Sequence, residues 1–358
     1  MDATLLKLKN FRNYLEKAVE FSSGLNVIEG KNATGKTNLL EAVYLSAFGR
    51  SPRAVKDKEM INHGASQAQV RLNLEKKFRS HKIEVFLLDN NKKSVLIDGI
   101  PAARSNELLG MLSVVYFSPD ELKLIKNSPE ERRRFMDVSL CQQKKAYFFA
   151  LSGYNRLLKQ RNALLKESNS KAIADTLDIW DAEMAKTGAE IIFERAAFLK
   201  GLEADARRAH YAISGGGEEL SLLYETETSG QTKEELRAGI LEALKAGRER
   251  DLNLKYTGAG PHRDDIKIAL DGRDARKFAS QGQIRTSTLA LKVAETALIK
   301  AETGESPVLL LDDVLSELDE SRQAALLNFV SGTQVIVSCT EFKLSAVKPD
   351  NIIRTTPV

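Results

Sequence analysis

Apolar and polar residues alternate along Thr4-Leu-Leu-Lys-Leu-Lys-Asn-Phe11, the period of a half-buried strand. Gly24–Glu29 predicts a second strand that runs into a glycine-bounded loop. From Lys36 to Ala47 the spacing changes: Leu39, Leu40, Val43, Tyr44 and Ala47 recur at helical intervals, and Gly49 ends the run. Residues 68–98 predict strands, with Asp89-Asn-Asn-Lys92 as a hairpin turn between Val85–Leu88 and Ser94–Ile97. Val114–Phe117 predicts a buried strand that stops at Ser118-Pro119.

The pattern then becomes helical for a long stretch. Ser128-Pro129-Glu130-Glu131 predicts a helix start, with Ser128 as N-cap, Pro129 in the first turn and Glu131 completing a capping box. From there to about Ala212 breakers are scarce. Leu177, Met184, Ile191 and Phe198 recur every seven residues, but the companion positions Trp180, Thr187, Glu194 and Gly201 make a poor second stripe. A short helical arm is therefore expected rather than a long two-stranded rod, at most about 60 Å for about 40 residues from Ala172. Trp180 is expected in the core of that arm. Ser214-Gly-Gly-Gly217 breaks the run. A strand at Leu220–Tyr224, a helix at Lys233–Leu244, a strand at Ile266–Leu270 and a helix at Gln283–Ala301 follow. The apolar strand Val308–Leu311, the helix Glu320–Val330 and a last strand at Gln334–Ser338 complete the chain. The expectation is a split α/β domain, residues 1–122 and 253–358, around a helical insert at 123–252.

Composition narrows the class. The 358 residues are 42% hydrophobic and 28% charged, which excludes a disordered or collagen-like chain. The net charge of +4 is small, but residues 123–166 carry eleven Lys/Arg against Glu130, Glu131 and Asp137. That local +8 leaves −4 elsewhere and hints at a polyanionic partner. Cys141 and Cys339 form no CxxC, and His63, His81, His210 and His262 fit no metal spacing. Two cysteines suit a reducing cytosol. No signal peptide is visible, and the uncharged apolar stretch Leu108–Pro119 falls short of the roughly 20 residues a membrane helix needs. A cytoplasmic protein without a membrane partner is expected.

The chemistry is concentrated in two places. Gly30-Lys31-Asn32-Ala33-Thr34-Gly35-Lys36-Thr37 fits G-x-x-x-x-G-K-[ST], between a strand and a helix as a phosphate loop requires. Its backbone N–H groups would face the β- and γ-phosphates of a nucleotide. Lys36 would supply a point charge, Thr37 would reach Mg²⁺, and Asn38 lies on the helix start that favours the anion. Val308-Leu-Leu-Leu-Asp312-Asp313 supplies the second half. Asp312 at the carboxyl end of a central strand would hold Mg²⁺, and Asp313 would polarise an attacking water.

Further motifs carry a resemblance. Ala279-Ser280-Gln281-Gly282-Gln283, with Gln283 lying 29 residues before Asp312, resembles the signature sequence of ABC-type ATPases. Ser280 as N-cap would leave its hydroxyl and the first N–H groups free for a γ-phosphate, which in that family belongs to ATP held by the partner protomer. Ser316-Glu317-Leu318-Asp319 resembles the D-loop of the same class. Leu8-Lys-Asn-Phe-Arg-Asn-Tyr14 resembles the opening of SMC-like DNA-repair ATPases. Gly49-Arg-Ser51, Phe117–Leu122, Ser128-Pro-Glu-Glu-Arg-Arg-Arg-Phe-Met-Asp137, Gly260-Pro-His-Arg-Asp-Asp265, Ser280–Arg285 and Leu309–Asp319 together resemble the RecF family of bacterial recombination-repair ATPases, nearly end to end.

That resemblance implies an α/β ABC-type head with a helical arm, dimerising on ATP and Mg²⁺ and hydrolysing ATP weakly, with DNA stimulation. It implies DNA as partner (duplexes and single/double-strand junctions), and work with RecR and RecO that directs RecA to gapped DNA. Arg12 and Asn13 resemble the segment that touches nucleotide in SMC-like heads. Arg53 looks like their DNA-linked arginine. Arg132, Arg133 and Arg134 are either a phosphate-binding stripe or a solvated face, and His262 either contacts nucleotide or caps a strand.

Departures from the wider ABC pattern are Gln281 in place of Gly, Asp313 in place of Glu, Ser338-Cys339-Thr340 without a switch His, and Ser118-Pro119 where many relatives have Gln. Asp is one methylene shorter than Glu, so turnover is expected to be slow. The alternatives are the soluble ATPase subunit of an ABC transporter, against which the missing switch His argues, and an SMC-type tethering head, against which the short arm argues.

Overall fold

The structure, a computed structural model, describes residues 1–167 and 170–356, without the side chains of Ser105, 170–175 and Glu317. The chain divides into two compact units. The first comprises residues 1–122, 205–218 and 285–358, and the second 123–204 and 219–284.

The first unit contains two sheets. The antiparallel one has six strands in the order Tyr14–Glu20, Asp2–Phe11, Gln67–Glu75, Ser80–Leu88, Lys93–Ile97 and Ile100–Pro101. Its inner face follows the alternation in the sequence: Leu6, Leu8, Val70, Leu72, Leu74, Val85 and Leu87 are buried. The other sheet has five strands, ordered Asn351–Arg354, Leu25–Glu29, Val335–Cys339, Val308–Asp312, Val114–Phe117, and every neighbouring pair is parallel. Its strands read as continuous apolar runs because both faces are covered, and all five residues of Val308–Asp312 and of Val335–Cys339 are buried.

The helix Lys36–Phe48 explains why this unit holds together. Residues 39–47 are all buried, and all of them but Glu41 and Ser46 join residues of both sheets in one apolar core. A helix apolar on nearly every side belongs between layers, so only its first two turns remain for polar work. Gly49 closes it in the left-handed conformation at φ 64°, donating its N–H to Leu45.

The second unit contains the helices Pro129–Gln143, Lys145–Leu164 and most of the 45-residue helix Ser170–Ser214, about 68 Å long. It also holds a three-stranded antiparallel sheet (Leu220–Glu225, Asp265–Leu270, Arg273–Asp274) and the helices Lys123–Lys126, Lys233–Ala246, Arg248–Leu254 and Ala275–Phe278. The heptad residues Leu177, Met184, Ile191 and Phe198 are all buried, while Trp180 is only half-buried.

Several expectations need correction. Residues 253–284, assigned to the returning ATPase segment, belong to the second unit, because Asp265–Leu270 pairs with Leu220–Glu225 and not with the parallel sheet. The strands Tyr14–Glu20 and Asn351–Arg354 were not anticipated; the second is four residues long, too short for a period to show. Ser128 does cap its helix by position, but its side chain makes no capping bond, so the expected box with Glu131 does not form. Among the described residues no helix is long and apolar enough to cross a membrane.

Candidate nucleotide-binding site

The parallel sheet sets the stage. Register places Asp312 beside Ser338, and Cys339 beside Glu29, so strand ends converge at one carboxyl edge where the phosphate loop begins. Within that loop Ala33 (φ 65°) and Gly35 (φ 96°) are left-handed, a geometry that turns successive N–H groups toward one concavity. Gly35 cannot be replaced without strain: a Cβ there would lie 2.6 Å from the Tyr14 hydroxyl and 2.7 Å from Asn13 Nδ2. The Tyr14 hydroxyl donates to the Thr34 carbonyl at 3.3 Å, and burial pushes its pKa up to about 12. The Thr34 hydroxyl turns away from the concavity, donating to the Lys31 carbonyl (2.8 Å) and lying 2.7 Å from Thr355 Oγ1.

Lys36 folds along the loop, its ammonium donating to the carbonyls of Gly30 (2.6 Å) and Lys31 (2.9 Å). The Thr37 hydroxyl donates to Asp312 Oδ1 at 2.8 Å. Two more hydroxyls fix that carboxylate: Ser338 on Oδ1 at 2.8 Å and Tyr116 on Oδ2 at 3.1 Å. Burial, then the Asp312 charge, raises the Tyr116 pKa, so the phenol remains a donor. The residues fit Mg²⁺: an alcohol and a carboxylate oxygen already in contact, with phosphate oxygens and water left to complete a hard, all-oxygen shell. Among the described residues no cluster of three His, Cys, Asp or Glu could hold a metal by protein groups alone.

Asp313 follows at φ 54°. Its N–H donates to Ser338 Oγ (3.0 Å), so one serine hydroxyl links both acidic residues. Ser316 donates to the Asp313 carbonyl (2.9 Å) and lies 3.0 Å from its Oδ1. Asp313 and Ser338 line a cleft of about 340 Å³ together with Asn13, Asn32, Ala33, Gly35, Lys36, Thr37, Asn38 and Arg53. A neighbouring cleft of about 570 Å³ is walled by Arg12, Asn13, Asn38, Arg53, Ala54, Glu59 and Ile61, so Asn13, Asn38 and Arg53 border both. Asn38 donates to Asn13 Oδ1 (2.8 Å) and accepts from Arg53 Nη2 (2.9 Å). Arg53, expected at DNA, thus stands at the phosphate cleft. Asp319 is not in it; its carboxylate caps the helix Glu320–Phe329 through Arg322 N–H.

The signature residues lie in the second unit. Ser280 and Gln283 satisfy each other: Ser280 N–H donates to Gln283 Oε1 (2.7 Å), and Gln283 N–H donates to Ser280 Oγ (3.3 Å). The Ser280 lone pair expected to be free is therefore engaged, while its O–H proton can still be donated. Ser280, Gln281 and Gly282 are exposed.

The arginine run divides three ways. Arg132 is 3% exposed and bidentate to Asp265 (2.5 and 2.9 Å), so it is no part of a phosphate-binding stripe. Arg133 donates to the Asp264 carbonyl at 2.7 Å, and Arg134 alone is exposed. His262 Nδ1 lies 2.7 Å from the Tyr154 hydroxyl and Nε2 lies 3.0 Å from the Thr257 carbonyl. A carbonyl only accepts, so Nε2 carries the proton and Nδ1 accepts from Tyr154. Burial holds the pKa down to about 4. His262 is a neutral latch inside the second unit.

Sequence reasoning missed Tyr116, Ser338, Glu41 and Thr355. Tyr116 is hidden in an apolar run, and Ser338 stands out in the sequence only where a switch His would be. Glu41, five residues after Lys36, offers a weak signal as the one carboxylate on a helix that is mostly apolar beyond its first turn.

Comparison with known proteins agrees with this geometry. The RecF/RecN/SMC N-terminal domain family matches residues 4–357. The chain is 44% identical over 353 residues to the DNA replication and repair protein RecF of Lachnoclostridium phytofermentans, covering 98% of this chain and 96% of that one. It is 46% identical over 336 residues to the RecF of Agathobacter rectalis, covering 94% and 91%. Among solved structures it is similar to the recombination mediator protein RecF with ATP in the RecFOR pathway, at TM-score 0.89 and 35% identity over 99% of this chain and 95% of that chain. An Smc head bound to the C-terminal winged-helix domain of ScpA, at TM-score 0.60 and 18% identity over 98% and 93%, shares the fold. These matches set aside the transporter subunit and the tethering head: the chain belongs to the RecF family of DNA replication and repair proteins.

Proposed function

We propose that this RecF-family ATPase uses ATP and Mg²⁺ to close two copies of itself around DNA during recombinational repair and replication-fork maintenance. The observation that carries the nucleotide part is the contact between Thr37 and Asp312 beside a loop whose lysine is already folded over its concavity. ATP would replace the carbonyls of Gly30 and Lys31 as partners of Lys36, and Mg²⁺ would lie between Thr37, Asp312 and the phosphates. Asp313 would hold the attacking water. Its carboxylate is short and shared with Ser316, which supports slow turnover suited to a switch.

Dimerisation rests on the exposed Ser280-Gln281-Gly282, whose O–H and helix-start N–H groups can meet a γ-phosphate held by a second copy. The solved RecF with ATP in the RecFOR pathway supports RecO and RecR as partners; loading of RecA on gapped DNA would be the outcome that the family resemblance implies. DNA would be held through phosphates, without base readout, because no recognition helix or aromatic ladder stands out in the sequence.

The test is light scattering with ATP and Mg²⁺ on the wild type and two variants. Lys36→Ala should neither bind ATP nor dimerise. Ser280→Arg should bind ATP as a monomer and fail to dimerise. A Lys36→Ala dimer that still depends on ATP would overturn the site assignment.

A further inference from the structure

Glu41 lies in the second turn of the phosphate-loop helix, with its side chain fully buried. A carboxylate taken out of water is costly unless every lone pair finds a donor. Here it finds four. Arg12 grips it with two nitrogens, Nε to Oε2 at 2.9 Å and Nη2 to Oε1 at 2.7 Å. The Ser51 hydroxyl donates to Oε1 and Arg53 Nη2 to Oε2, each at 2.5 Å. Burial by itself would raise its pKa, but the bonds from Arg12 and Ser51 and the charges of Arg53 and Arg12 pull it below the ordinary value.

The two arginines are held unequally. Arg12 is fixed further by Nη1 on the Glu59 carbonyl (2.6 Å), and its backbone N–H donates to the Met60 carbonyl (2.8 Å). Arg53 reaches Glu41 through one nitrogen, shared with Asn38, and its side chain is 35% exposed against 22% for Arg12. Both arginines border the larger cleft, and Arg53 also lines the phosphate cleft. Ser51 completes the device: its oxygen accepts the N–H groups of Arg53 (2.9 Å) and Ala54 (2.8 Å) while its proton goes to Glu41, so the loop carrying Arg53 is tied to the same carboxylate. Two guanidiniums on one carboxylate leave a net positive charge at the rim. Without Glu41 they would repel each other and lose their common anchor.

We propose that Glu41 is a positioning residue of the nucleotide site, whose buried carboxylate aims the Arg53 guanidinium, with Arg12 as its fixed brace, at the phosphates of a nucleoside triphosphate. This deepens the reading of the cleft as an ATP site and rests on it. A residue acting through Arg53 has a signature that a purely structural residue lacks: its removal costs nothing more once Arg53 is gone.

The experiment is a double-mutant cycle on the full chain, read as ATP affinity by titration calorimetry, with Lys36→Ala as control. Arg53→Ala and Glu41→Gln should each weaken ATP binding about tenfold, the scale of one charge-assisted hydrogen bond. The double variant should be no weaker than Arg53→Ala alone. If Glu41→Gln does not fold, Glu41→Asp, which keeps the charge but withdraws it by one methylene, should give a smaller loss that again vanishes without Arg53. The inference falls if the Glu41 variant binds ATP like wild type, or if the two losses multiply. Should Lys36→Ala itself bind ATP normally, the nucleotide site is misplaced; loss in Lys36→Ala with none in the Glu41 variants overturns the role of Glu41 alone.

Discussion

Two regions of this molecule are built from arginines facing carboxylates, and they differ in how much water they keep. In the second unit Arg161 is fully buried, bonded to Asp181 (2.9 Å), Asp251 (2.8 Å) and Thr257 (2.9 Å). Arg195, 2% exposed, is bidentate to Asp137 and donates to the Pro261 carbonyl at 2.7 Å. Arg132 holds Asp265. Three helices thus grip the single segment 257–265, and the Gly-Pro-His-Arg-Asp-Asp and Ser-Pro-Glu-Glu-Arg-Arg-Arg-Phe stretches meet in one polar hub. At the phosphate cleft, by contrast, Arg12 and Arg53 remain part-exposed around Glu41. The difference separates two uses of one chemistry. A buried pair is finished and can only hold the fold, whereas a part-exposed pair still has an edge to offer a ligand.

The largest expected effect breaks the finished region. Arg161→Ala leaves Asp181 and Asp251 buried with less compensation and should cost roughly 3–5 kcal/mol in denaturant unfolding. Arg53→Ala, in the open region, should cost under about 1 kcal/mol in the same assay. Equal losses would erase the distinction. Next comes catalysis: Asp313→Asn should cut single-turnover hydrolysis at least about 100-fold while ATP still binds. Loss of ATP binding instead would make Asp313 a metal ligand.

A smaller effect sharpens the hub. His262 has its pKa depressed from 6.5 to about 4 by burial, so between those values the unfolded chain binds the extra proton. Its contribution to stability is therefore full above pH 6.5 and is lost as pH falls toward 4, at no more than about 1.4 kcal/mol per pH unit. His262→Gln should flatten that part of the unfolding midpoint against pH; an unchanged slope would mean that another group titrates there. The smallest effect concerns DNA. Arg134→Ala should leave stability unchanged and lower the log–log salt slope of DNA binding by about one phosphate contact. An unchanged slope would make Arg134 solvated surface.

Much of the cleft was legible along the chain because its parts are local. A phosphate loop is eight consecutive residues between a strand and a helix, and Asp312-Asp313 end an apolar run, so one stretch of backbone carries each piece. The burial of Leu177, Met184, Ile191 and Phe198 was legible for the same reason, since helical period is a property of neighbours. Charge was legible only as a sum. The +8 of residues 123–166 counts Arg132 and Arg161 with Arg134, yet the first two are neutralised by Asp265, Asp181 and Asp251, partners up to 133 residues away. Likewise nothing in Val114–Phe117 marks Tyr116 as a donor to Asp312, 196 residues on.

By itself the sequence determined most of the order of the elements, the phosphate-loop motif, the acidic pair that ends an apolar strand and the family, because each is written in contiguous residues whose spacing physics constrains. Only the tertiary structure decided which arginines are spent inside and which face the cleft, that residues 253–284 join the second unit, and that Ser338 and Glu41 hydrogen-bond to groups far from them along the chain. Those choices depend on which side chains are brought together across the chain and on how much water each pair retains. Spacing along a sequence encodes neither.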